Sequence, residues 1–589
     1  MTFLGEPPEH IKQWIKDNFD RKGPLFFEAN EAGASVSMLC WDDYNEQPTD
    51  IKCHLQYSTD KMATWETYDG SIVELDDCTD NRVYFRADPE NPNTDGFGKE
   101  DWDNEEAWFH YFKTDKSVKA GGNIQFLLES TGTRTDVPEC GFYGLFGREE
   151  YDEETNESTY SCSSLTTAPE LPAATLTYSC YDSMFLGCSS LTTAPALPAT
   201  TLADYCYYCM FRYCSSLTTA PELPATTLAE GCYYCMFSDC SSLMTAPELP
   251  AATLTYSCYG NMFSSCSSLT TAPALPAETL AGGCYGNMFS SCSSLTSAPA
   301  LPAMTLADHC YWYMFSGCAA LTAAPALPAE TLVNGCYDRM FEGCSSLTTA
   351  PALPATTLAD SCYSSMFQGC SSLTSAPATL PATTLASNCY DSMFRGCSSL
   401  TTAPALPATT LADYCYSQMF WECSSLTSAP ATLPATTLAS HCYANMFFYC
   451  SSLTTAPALP ATTLADYCYG SMFYGCSSLT TAPATLPATT LATGCYASMF
   501  SRCSSLTTAP ALPAATLADY CYGSMFWNCS KLMTMDVSFT AWDPANATRD
   551  WVNGVAASGT FACPRALPKT FGNNNIPSGW GAVSPLDEQ

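Results

Sequence analysis

Cys-Ser-Ser-Leu, or a close variant of it, begins at residues 162, 188, 214, 240, 266, 292, 318, 344, 370, 397, 423, 450, 476, 503 and 529 of this 589-residue chain. The step is 26 residues, with three steps of 27. Each longer step comes from one added threonine, Thr379, Thr432 or Thr485, which turns APALPA into APATLPA and marks that point as a loop. A unit this short cannot bury an apolar side alone, whereas stacked copies share one core. The repeat therefore overrides the three to five domains that length alone would suggest.

The unit reads C-S-S-L-T-T-A-P-A-L-P-A-T-T-L-A-D-Y-C-Y-x-x-M-F-x-G, and Met-Phe recurs 14 times, from Met184-Phe185 to Met525-Phe526. In the copy Cys397 to Glu422, Leu400 to Ala403 reads as a short strand stopped by Pro404, because proline cannot donate to a sheet ladder. Leu411, Cys415, Tyr416, Met419 and Phe420 then form an apolar stripe at helical spacing. The expected architecture is a solenoid with a short strand and a short helix per unit, its core built from the fixed Leu, Ala, Cys, Tyr, Met and Phe columns.

The motif MFxGCSSLTTAPALPATTLADYCY resembles the BspA-type leucine-rich repeats of bacterial surface proteins, which also occur in viruses of gut bacteria. The resemblance covers about residues 140 to 540. Alanine and proline stand where that family often has isoleucine in its strand. The resemblance implies a leucine-rich-repeat-like fold and a role in adhesion or partner recognition, although a fold does not by itself fix a function.

The first 161 residues are a different object, with 35 acidic and 14 basic residues, whereas residues 162 to 528 contain no lysine and only Arg212, Arg339, Arg395 and Arg502 as bases. Residues 1–23 read as a helical segment, with His10 to Phe19 amphipathic. Residues 24–137 alternate apolar and polar residues between turn signals and read as an all-β, sandwich-like domain. Its expected strands are Leu25 to Ala29, Ser35 to Cys40, His54 to Ser58, Ala63 to Tyr68, Ser71 to Leu75, Arg82 to Ala87 and Trp108 to Lys113. Residues 138–161 read as a capping half-repeat, GFYGLFG, with an acidic insertion. Residues 162–528 hold 14 repeats, and residues 529–589 a partial repeat and a cap in which Trp542, Trp551 and Trp580 seal the core.

A net charge of −36 disfavours nucleic acid and anionic lipid as partners. No basic segment followed by an apolar stretch opens the chain, and no apolar run of about 18 residues follows, so neither a signal peptide nor membrane insertion is expected. Of the 36 cysteines, 15 open the units and 14 occupy the Cys-Tyr position. Residues in these columns read mainly as buried thiols, with bridging between rungs as the alternative. Cys206-Tyr-Tyr-Cys209 and Cys232-Tyr-Tyr-Cys235 resemble a four-thiolate zinc site, but Cys206 and Cys232 belong to the core column. Cys209 and Cys235 are thus weak metal candidates, with a bridge between them also open. Asn91, Asn93 and Asp95 have the spacing that opens a calcium loop, yet Trp102 stands where the bidentate glutamate belongs. No cofactor is expected.

Five histidines, two of them (His309 and His441) beside core cysteines, offer no credible dyad, so the chain reads as non-enzymatic. The contrast between copies is more informative. TTAPALPATTLA scarcely varies, while the two residues before Met-Phe and the two after it vary freely. These slots carry Tyr208, Tyr234, Trp312 and Tyr313 before it, and Tyr213, Trp421, Phe448, Tyr449, Tyr474 and Trp527 after it. They form the candidate partner-binding stripe; solvent-facing packing of aromatics on one another is the plain alternative. The resulting expectation is recognition or adhesion through a protein or glycan partner, at a virion or bacterial cell surface. The alternative is a structural component packed on other virion or envelope subunits.

Overall fold

In a computed structural model the described residues are 23–42, 47–101, 106–147, 149–152, 157–160 and 164–584. The expected helix at His10 to Phe19 and Cys162, the first repeat cysteine, lie outside them. The chain divides into two compact units, Met1–Leu295 and Thr296–Gln589.

The N-terminal unit opens with two sheets. The first has the order β13-β10-β1-β7-β4-β5: β1 is Leu25–Ala29, β4 Leu55–Ser58, β5 Glu66–Thr67, β7 Arg82–Ala87, β10 Val118–Gly121 and β13 Leu165–Thr167. The second has the order β3-β2-β9-β8, with β6 also on β2: β2 is Ser35–Asp42, β3 Gln47–Thr49, β6 Val73–Glu74, β8 Gly98–Asp101 and β9 Glu106–Thr114. Phe27 and Phe85 from the first sheet meet Phe112 of the second at ring separations of 4.9 and 5.2 Å. This aromatic contact is what alternating strands with one apolar face produce. The acidic insertion forms a hairpin, β11 (Glu149–Asp152) against β12 (Glu157–Tyr160).

Repeat copies join the first sheet through its edge: β10 pairs parallel with β13, and Thr167 bridges Thr193 one copy later. The expected strand of each copy shrinks elsewhere to isolated parallel bridges, such as Thr349 to Ser375 and Thr402 to Ser428. The proline two residues on removes the donor that a longer ladder needs. The three added threonines are exposed, as a loop insertion would be, but each bridges an alanine of the next copy: Thr379 to Ala405, Thr432 to Ala458 and Thr485 to Ala511.

The expected helix is absent, and this corrects the reading of Leu411 to Phe420. That segment is a chain of turns. The N–H groups of Cys415, Ser417, Met419 and Trp421 each bond three residues back, to Ala412, Tyr414, Tyr416 and Gln418. The alternate N–H groups, of Tyr414, Tyr416, Gln418, Phe420 and Glu422, bond instead to carbonyls of the next copy, at 2.7 to 3.0 Å. Tyr414, Gln418 and Glu422 have φ of +58°, +53° and +60°, a left-handed backbone that a right-handed helix cannot contain. A turn every four residues puts residues 411, 415, 419 and 423 on one face, close enough to the 3.6 period to imitate a helical stripe.

That inner face carries the core. In the N-terminal unit, Tyr181, Tyr207, Tyr233 and Tyr259 stack at 5.8 Å per copy, and Phe185, Phe211, Phe237 and Phe263 at 5.3 to 5.7 Å. Phe142 and Phe146 of the GFYGLFG segment stack on Tyr181 and Phe185, and their N–H groups bond to Cys180 and Met184 in the same ladder. In the C-terminal unit the same columns run from Tyr311 and Phe315 to Tyr522 and Phe526, and the fully buried Trp551 packs on Tyr522, Phe526 and Phe539. Trp551, Trp580 and Trp542 donate their indole N–H groups to the carbonyls of Asn575, Ala556 and Pro568. Three parallel strands close this end, β14 (Thr534–Asp536), β15 (Thr560–Ala562) and β16 (Gly581–Val583).

The buried hydroxyls of Tyr363, Tyr390, Tyr416 and Tyr443 have no hydrogen-bond partner. A buried hydroxyl that makes no bond contributes only its desolvation cost. Tyr416→Phe is therefore expected to leave stability within about 0.5 kcal/mol or to raise it. Urea denaturation of the full chain checks this.

Candidate functional site

Five of the ten candidate aromatics gather on one stretch of the C-terminal unit. Trp421, Phe448 and Tyr474 occupy the residue after Met-Phe in three consecutive copies, and their rings stack face to face at 4.0 and 4.6 Å. Tyr449 stands edge-on to Phe448 and Tyr474, at 4.9 and 5.6 Å. The Arg395 guanidinium lies 5.0 Å from the Trp421 ring, and that of Arg502 lies between Tyr474 and Trp527, at 5.6 and 4.8 Å. The parallel ladder places one side chain per copy in register, so a run of aromatics becomes a continuous stack. Tyr449 is 37% exposed, and Trp421, Phe448, Tyr474 and Trp527 are half-buried. Each ring thus packs on its neighbours and still presents surface.

Trp312 and Tyr313 form a separate pair, edge to face at 4.8 Å, with Arg339 over Tyr313 and donating to its hydroxyl. Burial pushes the Asp338 carboxyl up to about 6, outweighing the lowering influence of the nearby Ser364 and Trp312, and its Oδ1 has no hydrogen-bond partner. A carboxyl raised in the fold favours folding below its unfolded value of 3.8, and that contribution is lost as pH rises toward 6. Asp338→Asn is expected to flatten this part of the stability-pH curve and to raise stability at pH 7, on the order of 1 kcal/mol allowing for partial exposure. Thermal melts of both proteins from pH 4 to pH 7 test it.

In the N-terminal unit Tyr208 stacks on Tyr234 at 5.3 Å, and Arg212 lies 4.7 Å from the ring of Tyr213. All four arginines of the repeats thus sit over aromatic rings, a placement worth about 0.5 to 2 kcal/mol each according to exposure.

The model of the BspA type leucine rich repeat region matches residues 286–427, 337–479 and 441–541, with six copies. Over residues 286–541 the chain is similar to BspA-type leucine-rich repeats. A leucine-rich repeat protein from Bacteroides ovatus ATCC 8483 has a similar solved structure, with 17% identity over 71% of this chain and 96% of that one and a TM-score of 0.37. No curated protein matches the chain.

The repeats hold a second aromatic column, which the variation around Met-Phe does not reveal. The residue before the Cys-Tyr pair is Tyr414, His441, Tyr467 and Tyr520 in four copies; the first three stack at 4.6 and 5.2 Å. Tyr414, Tyr467 and Tyr520 are 37 to 41% exposed. Between Tyr467 and Tyr520 the column has Gly494, and a Cβ there would meet the Tyr467 ring at 2.4 Å. A cleft of about 290 Å³ opens between these two tyrosines, lined also by Ala497, Ser498, Gly523, Ser524 and Arg549. The signal was present: this slot varies as freely as those around Met-Phe and takes Gly, Asn, Ser, Tyr or His, several of them residues that suit a left-handed backbone.

The thiol columns are chemically quiet. Cys423, Cys450, Cys476 and Cys503 each donate to the carbonyl of a phenylalanine 29 or 30 residues earlier, at 3.1 Å. Burial pushes the Cys415 thiol, in the other column, up to about 12. Cys188 is disulfide-bonded, and the other described cysteines are thiols. Asn93 cannot serve the calcium loop as arranged, because its amide is spent on the backbone of His54 and the carbonyl of Leu127; Asn91 and Asp95 lie exposed in the same turn. Among the described residues no group of three or more His, Cys, Asp or Glu could hold a metal ion. His110 is a packed residue: it bonds to Phe97 O and accepts from Lys52 N–H, and burial lowers it to about 4. No described helix is long and apolar enough to cross a membrane.

Proposed function

We propose that this chain is a non-enzymatic recognition protein that presents its repeats, read as a solenoid, to a protein or glycan partner at a virion or bacterial cell surface. Repeats of this family are commonly associated with surface adhesion and protein binding, and are typically not enzymes. The observation that carries the reading is the Trp421, Phe448 and Tyr474 stack with Arg395 and Arg502 on it, beside the exposed tyrosine column. Trp, Tyr and Arg dominate binding hot spots, because large rigid rings bring contact area at little entropic cost. Here stacking on neighbouring copies has already fixed those rings, which lowers the ordering cost of binding further. A sparse supply of positive charge held on aromatic planes also suits sugar rings and carboxylates.

The test is direct binding of the labelled full chain to intact bacterial cells, host cells and an array of glycans. Saturable binding to one class of surface is expected. Absence of binding to all of them would move the chain to the alternative of a structural component packed on other subunits.

A further inference from the structure

Cys209 and Cys235 stand outside both thiol columns and occupy the same slot of neighbouring copies, with φ of +49° and +54°. The ladder holds them in register: Cys209 N–H bonds to Tyr234 O, and Cys235 N–H to Gly260 O, both at 2.9 Å. Parallel copies about 4.8 Å apart place equivalent Cα atoms inside the disulfide range of roughly 4.4 to 6.8 Å. The two thiols are close enough to shift each other's protonation.

Their surroundings differ from those of every other repeat thiol. Arg212 lies beside the pair, 3.7 Å from the Asp239 carboxylate and 3.0 Å from the Tyr213 hydroxyl, and Asp182, Tyr208 and Tyr234 also face it. The unit-opening thiols Cys214 and Cys240 donate hydrogen bonds to the carbonyls of Phe185 and Phe211 and are driven up by burial. In this pair the adjoining Cys209 and the nearby Arg212 lower Cys235, while Cys209 is raised and holds its proton. Both sulfurs are nearly buried, at 4% and 8% exposure, but Cys209 also lines a cavity of about 260 Å³ together with Arg212, Tyr208, Phe109, Tyr111 and Tyr143. The cavity gives one sulfur a route to a small reactant and places a guanidinium beside it.

We propose that Cys209 and Cys235 are a redox-active dithiol, which a low-molecular-weight disulfide entering this cavity converts into a disulfide between neighbouring copies. Cys235, the more acidic of the two, takes the proton of Cys209 as the Cys209 sulfur attacks one sulfur of the small disulfide, breaking its S–S bond and expelling one small thiolate. That thiolate takes the proton from Cys235. The Cys235 thiolate then attacks Cys209 Sγ and expels the second small thiolate, which is protonated by water. Two protein thiols are oxidised and one small disulfide is reduced to two thiols. Attack through an accessible thiolate is what distinguishes reactive from inert cysteines.

The folded full-length chain, reduced and then exposed to oxidised glutathione, is quenched in acid, unfolded, alkylated and mapped by mass spectrometry. The expected product is a Cys209-Cys235 crosslink that forms about tenfold or more faster than any column cysteine is modified. In Cys235→Ser the second step is blocked, and glutathione is expected to remain on Cys209. Equal alkylation of Cys209 and Cys235 with and without oxidant, or modification of column cysteines at the same rate, would overturn the proposal. So would a Cys235→Ser protein that folds and carries no adduct on Cys209. The wild-type crosslink decides the matter even where the variant does not fold.

Discussion

Phe447→Ala is expected to destabilise the C-terminal unit by about 3 to 5 kcal/mol. The ring is fully buried and stacks on Phe420 at 5.4 Å and Phe473 at 5.5 Å, so truncation removes the apolar transfer term and two stacking contacts and leaves a cavity. The backbone around it belongs to a ladder, with Phe447 N–H bonded to Met472 O at 2.9 Å, and cannot collapse into the gap without breaking that register. Copies contact mainly their neighbours, so the damage is expected to concentrate on residues 420 to 473. Urea denaturation followed by circular dichroism measures the loss, and hydrogen exchange locates it. A loss below about 1 kcal/mol would show that the phenylalanine column is not what holds the copies together.

The contrast with Tyr416→Phe separates two contributions within one core. A ring in the column stabilises by packing, whereas its orphaned hydroxyl does not.

Much of this architecture is legible in the residues. β1 and β7 lie where alternation places them, at Leu25–Ala29 and Arg82–Ala87. The repeat period gives the in-register columns, because residues 26 or 27 apart fall side by side. The short strands β3 and β8 were not legible: Gln47–Thr49 and Gly98–Asp101 have no apolar alternation and owe their pairing to β2 and β9. The helix was misread because a four-residue turn period and a 3.6-residue helical period are hard to tell apart over ten residues. Glycine or asparagine recurs at the slots now seen to be left-handed, as at Gly231, Gly283, Asn261, Asn287 and Gly396, and that pattern argues against a helix. Variation between copies locates the aromatic slots around Met-Phe but not which of them converge. Trp421, Phe448 and Tyr474 converge because they occupy the same slot in consecutive copies, whereas the residues 26 positions on from Trp312 and Tyr313 are Asp338 and Arg339.

The stack, and not the repeat scaffold as such, is expected to make the binding face. Trp421→Ala, Phe448→Ala and Tyr474→Ala combined remove three half-buried rings and the seat of Arg395 while leaving the inner Tyr and Phe columns intact. Central hot-spot rings are worth about 2 kcal/mol or more each, and their effects overlap, so a loss of about 100-fold or more in affinity is expected. The most direct measurement is a pair of binding curves for the wild-type chain and this triple variant on the same cells or glycans, with the fold of both checked by circular dichroism. Curves displaced by about two decades, with the fold retained, are the predicted result; superimposable curves would contradict the assignment of the aromatic stack as the recognition surface.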